Sequence, residues 1–131
     1  MSKLQIKVGM LILMESDLAK AIEFYKQLGF LLKFHIKEKW AEFALGDIKF
    51  GLCPTINQPY DRHSGIVLEV NDIEVARQKF AKENILFLAE PAAAPHGIMA
   101  SIKDPSGNII DLYQPTPEKM KELLEQVTQE K

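Results

Sequence analysis

The stretch MLILMESDLAKAIEFYKQLG, residues 10–29, decides the fold. Residues 10–14 form an apolar run of the length of a buried strand. Ser16 and Asp17 follow as helix caps. Leu18, Ala21, Ile22, Tyr25 and Leu28 then recur at helical spacing, and Gly29 ends the helix. The pattern restarts in GIVLEVNDIEVARQKFAKEN, residues 65–84. Met10 falls on Gly65, Ile12 on Val67, Ser16 on Asn71, Asp17 on Asp72, Leu18 on Ile73, Ala21 on Ala76, Tyr25 on Phe80 and Gly29 on Asn84. Every pair is 55 residues apart, so caps, core positions and helix stops coincide and an internal repeat is read.

Working outward, residues 31–37, 39–45 and 48–53 read as three strands, with Gly46-Asp47 turning between the last two. The polar, two-proline stretch PTINQPYDR, residues 54–62, is a connector. In the second copy residues 85–89, 98–103 and 108–113 are strand candidates, and residues 91–95 read as a loop. Asp104-Pro105-Ser106-Gly107 suits a type I turn. Thr116, Pro117 and Glu118 open a final helix whose stripe is Met120, Leu123, Leu124 and Val127, expected to dock on the domain or on a partner subunit. The expectation is an α+β chain forming one domain over residues 1–131: a βαβββ module at about 5–58, a second at about 63–115, and a helix at 116–131.

The composition agrees. With 131 residues, 47% hydrophobic and 26% charged, the chain can bury one real core. Sixteen basic against eighteen acidic residues give a net charge of −2, which argues against nucleic acid as a partner. The N-terminal apolar run is too short for a bilayer and is interrupted by lysine, so no membrane segment is read and a cytoplasmic location is expected. Cys53 is the single cysteine; it cannot form an intrachain disulfide and is taken as an inert thiol.

Three segments resemble the vicinal oxygen chelate superfamily, the glyoxalase, bleomycin-resistance and extradiol dioxygenase group. DLAKAIEFYKQLGF (17–30) is similar to its first helix, GIVLEVND (65–72) to the start of its second module, and SIKDPSGNIIDLY (101–113) to its Asp-Pro-x-Gly-Asn hairpin and last strand. The resemblance spans residues 5 to about 115. It implies two βαβββ modules whose mixed sheets curl into a half-barrel around a cleft, and makes a homodimer the default assembly.

Metal-dependent members carry one ligand, usually His or Glu, at each of four strand positions. Here these positions hold Met10, Gly65, Gly51 and Asp111. Glycine offers no donor, and a thioether is a poor ligand for Zn, Mg, Mn or Fe(II). The expectation is therefore no metal and no other cofactor; a divalent metal at a relocated site is the alternative. The period of two would put His63, Gly65, Val67 and Glu69 on one face, where His63 and Glu69 could join Asp111, although His63 also reads as a solvated residue of the connector. His96 stands on a loop that could close over the cleft or simply be exposed, and His35 is given no role.

By the same arithmetic the cleft lining is Met10, Ile12 and Met14, then Gly51 and Cys53, then Ile109, Asp111 and Tyr113, with Trp40, Glu42 and Ala44 contributing. That is an apolar and aromatic small-molecule site in which the glycines leave room, the methionines adapt, and Trp40 either stacks on a planar ligand or packs as core. Asp111 could pair with a cationic ligand or act as a general base with Glu69; alternatively it is a buried aspartate satisfied by backbone or by Tyr113. Three functions follow: a metal-free binding protein for a hydrophobic or cationic small molecule, a glyoxalase-like lyase, isomerase or dioxygenase with a displaced or degenerate metal site, and an interaction module whose cleft is vestigial.

Overall fold

The computed structural model describes residues 3–129. The chain divides into two compact units, one ending at Tyr60 and one beginning at Asp61. The first carries β1 (Met10–Glu15), α1 (Leu18–Gln27), β2 (Leu31–Ile36), β3 (Trp40–Leu45) and β4 (Ile48–Pro54). The second carries β5 (Arg62–Glu69), α2 (Ile73–Ala81), β6 (Ala92–Ala94), β7 (Gly97–Lys103), β8 (Asn108–Pro115) and α3 (Pro117–Gln129). Each unit has a four-stranded mixed sheet, ordered β1-β4-β3-β2 and β5-β8-β7-β6. In both, the first strand pairs in parallel with the last and the remaining pairs are antiparallel.

The repeat extends to individual hydrogen bonds. The Asp17 carboxylate accepts from the backbone N–H of Lys20, and the Asp72 carboxylate from those of Glu74 and Val75. Each helix then closes with paired bonds around a left-handed residue. Gly29 (φ 98°) donates to the Lys26 carbonyl and Phe30 to that of Tyr25. Asn84 (φ 61°) donates to the Ala81 carbonyl and Ile85 to that of Phe80.

The two cores use different materials on this common frame. Beneath α1, Tyr25, Phe30, Phe43 and Phe50 form a ring cluster with centroids 4.9–6.4 Å apart. The second unit places Phe80, Ile85, Ile102 and Ile110 in the matching positions, all buried. The hairpin before β8 forms as read: Gly107 donates to the Asp104 carbonyl, and the Asp104 carboxylate gathers the Ser106 and Asn108 backbone N–H groups and the Asn108 amide.

One segment departs from the sequence reading. Residues 85–89 are not a strand, and the region read as a loop contains β6. The apolar run there is consumed by packing instead: Ile85 is buried, and Phe87 lies 5.5 Å beneath the Arg77 guanidinium. Leu88 reaches β7, donating to the Ser101 carbonyl, and Pro91 has no N–H to continue a ladder. The free edge of β7 pairs with Ala92–Ala94.

The final helix opens at Thr116, whose carbonyl accepts from Met120 and whose N–H donates to the His96 carbonyl. Along its stripe Met120 and Leu123 are half-buried, whereas Leu124 and Val127 are exposed. Among the described residues no helix is long and apolar enough to cross a membrane.

Candidate functional site

Each sheet has one face packed under its helix and one open face, and the expected site residues that pair in the sheets fall on the open faces; His96 lies in the turn before β7 and Gly65 in a bulge of β5. In the first unit the register aligns Ile12, Gly51, Glu42 and Phe34 in one row, flanked by Met14, Cys53, Trp40 and Ile36 in the next. Met10, Lys49 and Ala44 form a third row. Ile12 and Met14 remain 51% and 42% exposed, so this face is a broad apolar surface rather than a sealed core.

Gly51 is glycine for a side-chain reason. A Cβ there would lie 2.3 Å from Cη2 of Trp40 and 3.2 Å from the Met10 sulfur. The indole therefore covers the backbone of β4 while remaining half-buried itself. This corrects one expectation: the space at Gly51 is not left open but is taken by Trp40. Trp40 neither sits in the core nor stands clear; it forms a wall on the open face.

The second unit's open face is polar and hydrogen-bonded. His63 stands opposite Ile109, Val67 opposite Asp111 and Glu69 opposite Tyr113, with Ser101 on the other side of Asp111. Ser101 donates to the Asp111 carboxylate at 2.7 Å, so Asp111 is satisfied by a serine hydroxyl, not by backbone or Tyr113. The Tyr113 hydroxyl donates to the His96 carbonyl at 3.1 Å and also meets Nδ1 of the His96 ring. With Nδ1 protonated both contacts are satisfied and Nε2 is left as an acceptor. His96 is thus half-buried and clasped by Tyr113, not an exposed loop residue. A cavity of about 290 Å³ opens between this face and residues 88–92, lined by His63, Met99, Ser101 and Ile109 among others.

His63 lies inside β5 rather than in the connector. The pairing slips between His63 and Val67, where Gly65 takes φ 79°. Two extra residues are accommodated there, and the Ser64 hydroxyl stitches the bulge by donating to the Ile109 carbonyl and accepting from the Ile66 N–H. Gly65 is therefore glycine for a backbone reason, with nothing within 4 Å of an added Cβ. The slip also makes His63, rather than Gly65, the register counterpart of Met10: Met10 pairs with Lys49 and His63 with Ile109. Met99 and Ser101 were missed in the sequence, although the turn at Asp104–Gly107 fixes the register that sets Ser101 opposite Asp111.

At the four strand positions that the resemblance marks, the residues do not fit a hard divalent cation. The first unit offers a thioether and a glycine already covered by an indole, and Asp111 is engaged by Ser101. Among the described residues no three His, Cys, Asp or Glu side chains converge.

Residues 7–112 match the family model described as the Glyoxalase/Bleomycin resistance protein/Dioxygenase superfamily. An uncharacterised protein of Mycolicibacterium smegmatis is 25% identical over 109 residues, covering 83% of this chain and 94% of its own. Among solved structures, the fosfomycin resistance protein FosX of Listeria monocytogenes superposes with a TM-score of 0.74 at 13% identity, covering 89% of this chain and 98% of its own. TnmS3, an antibiotic binding protein from Streptomyces sp. CB03234, superposes with a TM-score of 0.66 at 22% identity, covering 86% and 99%. The paired βαβββ units, the doubled helix caps and stops, and the match across most of the chain place this protein in the glyoxalase/bleomycin resistance/dioxygenase superfamily.

Proposed function

We propose that this protein is a metal-free small-molecule-binding protein of the bleomycin-resistance kind, taking a hydrophobic or cationic ligand on the open sheet faces. The observation that carries the reading is the Trp40 indole lying across Gly51: a position that the family resemblance marks for a metal ligand has no side chain and lies under an aromatic wall. Around it Met10, Ile12 and Met14 provide adaptable apolar surface, the usual make-up of a small-molecule site. The antibiotic-binding description of TnmS3 supports the same direction. Thermal-shift screening of amphipathic aromatic compounds and glycopeptides tests it. A ligand at 100 times its Kd adds about 2.7 kcal/mol of stability, and a panel in which nothing stabilises the fold overturns the reading.

A second reading rests on the other face. His63, Asp111 and Glu69 share one side of the second sheet, with Ser101 bonded to Asp111. This favours a glyoxalase-like lyase, isomerase or dioxygenase with a displaced metal site, or with acid–base chemistry through Asp111 and Glu69. Elemental analysis after loading with Zn, Mn or Fe(II) separates the two: a stoichiometric metal lost in His63→Ala or Asp111→Ala selects the enzyme. We also propose a homodimer in which the exposed Leu124 and Val127 of α3 are covered. Truncation before Pro117 that leaves the solution mass per assembly unchanged in subunit number removes α3 from that role.

A further inference from the structure

We infer that Glu42 is the charge-selecting residue of the first unit's open face, and that the ligand it selects is a planar aromatic cation held against Trp40. The inference rests on the proposed binding function and names the ligand class for its apolar face.

Glu42 sits mid-strand in β3, half-buried, with Gly51 opposite on one side and Phe34 on the other. Beyond Gly51 the same row ends at Ile12. The carboxylate is therefore set within an apolar row, where partial desolvation strengthens its attraction for a cation. Among the described residues no ion pair or hydrogen bond engages it. The face does carry a cation, Lys49, but that exposed side chain belongs to the row of Met10 and Ala44 and forms no ion pair with Glu42. One strand step from Glu42 on the same face is Trp40, fixed over Gly51 with part of its indole accessible. A fixed aromatic surface beside an unneutralised carboxylate matches a flat, positively charged ring system in both shape and charge.

The test uses the full chain and two ring-matched probes at mildly alkaline pH: 9-aminoacridine, which is a cation there, and acridine, which is neutral. Affinities come from calorimetry, and contact is read by quenching of Trp40, the single tryptophan. The wild type is expected to bind the cation about tenfold more tightly than the neutral parent. Glu42→Gln should bring that ratio to about one while acridine affinity stays within about twofold. Trp40→Leu should weaken both probes. Equal affinities in the wild type, or a preference that survives Glu42→Gln, overturn the inference while leaving apolar ligand binding intact. If neither probe binds the wild type, the inference falls, while the reading beneath it stands or falls on the wider thermal-shift panel. Should Glu42→Gln not fold, Glu42→Ala takes its place with the same expected loss of preference, and equal affinities in the wild type overturn the inference without any variant.

Discussion

The two units share one plan and oppose each other in chemistry. The first has an aromatic core and an open face of methionine, isoleucine, phenylalanine and tryptophan. The second has a largely aliphatic core and an open face tied by Ser101–Asp111 and His96–Tyr113. Each face also has an aromatic ring lying against a glycine: Trp40 over Gly51, and Tyr113 beside Gly97. The obstacle to a Cβ differs, however. At Gly51 it is the far end of a tryptophan side chain; at Gly97 it is the Gln114 carbonyl oxygen, 2.3 Å away, with the Tyr113 ring at 2.6 Å. A repeat conserves the frame because caps and turns are local, while each face is free to diverge because its side chains answer to their own neighbours.

That contrast can be broken experimentally. Gly97→Ala is expected to be the most damaging change, at about 3 kcal/mol, because β8 backbone must move; Tyr113→Leu in the same chain should not restore the loss. Gly51→Ala should cost about 2 kcal/mol, and most of that should return in the Gly51→Ala, Trp40→Leu double variant, since only a side chain blocks the site. Denaturant midpoints of the four chains measure both effects, and equal rescue at the two glycines would erase the distinction. Tyr113→Phe removes the hydroxyl that holds His96 and should cost about 1 kcal/mol, with faster amide exchange at the β6–β7 turn; the first unit should not respond.

The smallest effect concerns residues 88–92, which border the second unit's cavity. Arg77 binds Glu90 through two 2.8 Å hydrogen bonds, and that bonding holds the Glu90 carboxyl below its ordinary value and the guanidinium above its own. A lowered folded-state value means the clasp contributes above the ordinary glutamate range and is lost as pH falls through the depressed value. Exchange in residues 85–91 should therefore rise on acidification in the wild type and be insensitive to it in Glu90→Gln. Because Glu90 is exposed and Arg77 only partly covered, salt should weaken the response.

Much of the frame was legible because it is local. Asp17, Asp72, Gly29 and Asn84 announce helix ends through chemistry within a few residues, and the 55-residue offset exposes the repeat. The reason for Gly51 was not legible, since it depends on β3 delivering Trp40 across to β4. Nor was β6, three alanines whose pairing is decided by the vacant edge of β7 rather than by their own propensity. The bulge at Gly65 had a signal, an isolated glycine inside a strand pattern, and reading it would have moved His63 into register with Ile109. The sequence reading set the expected site residues on strands; the registers sort them into one apolar and one hydrogen-bonded surface.

Trp40 and Gly51 also set an order in which this face can vary. A side chain added at 51 meets the indole at once, whereas shrinking the residue at 40 meets no such obstacle. The tolerated route therefore runs through position 40 first and position 51 second. The indole acts as a gatekeeper: the range of residues admitted at one strand position is written in the side chain of its neighbour.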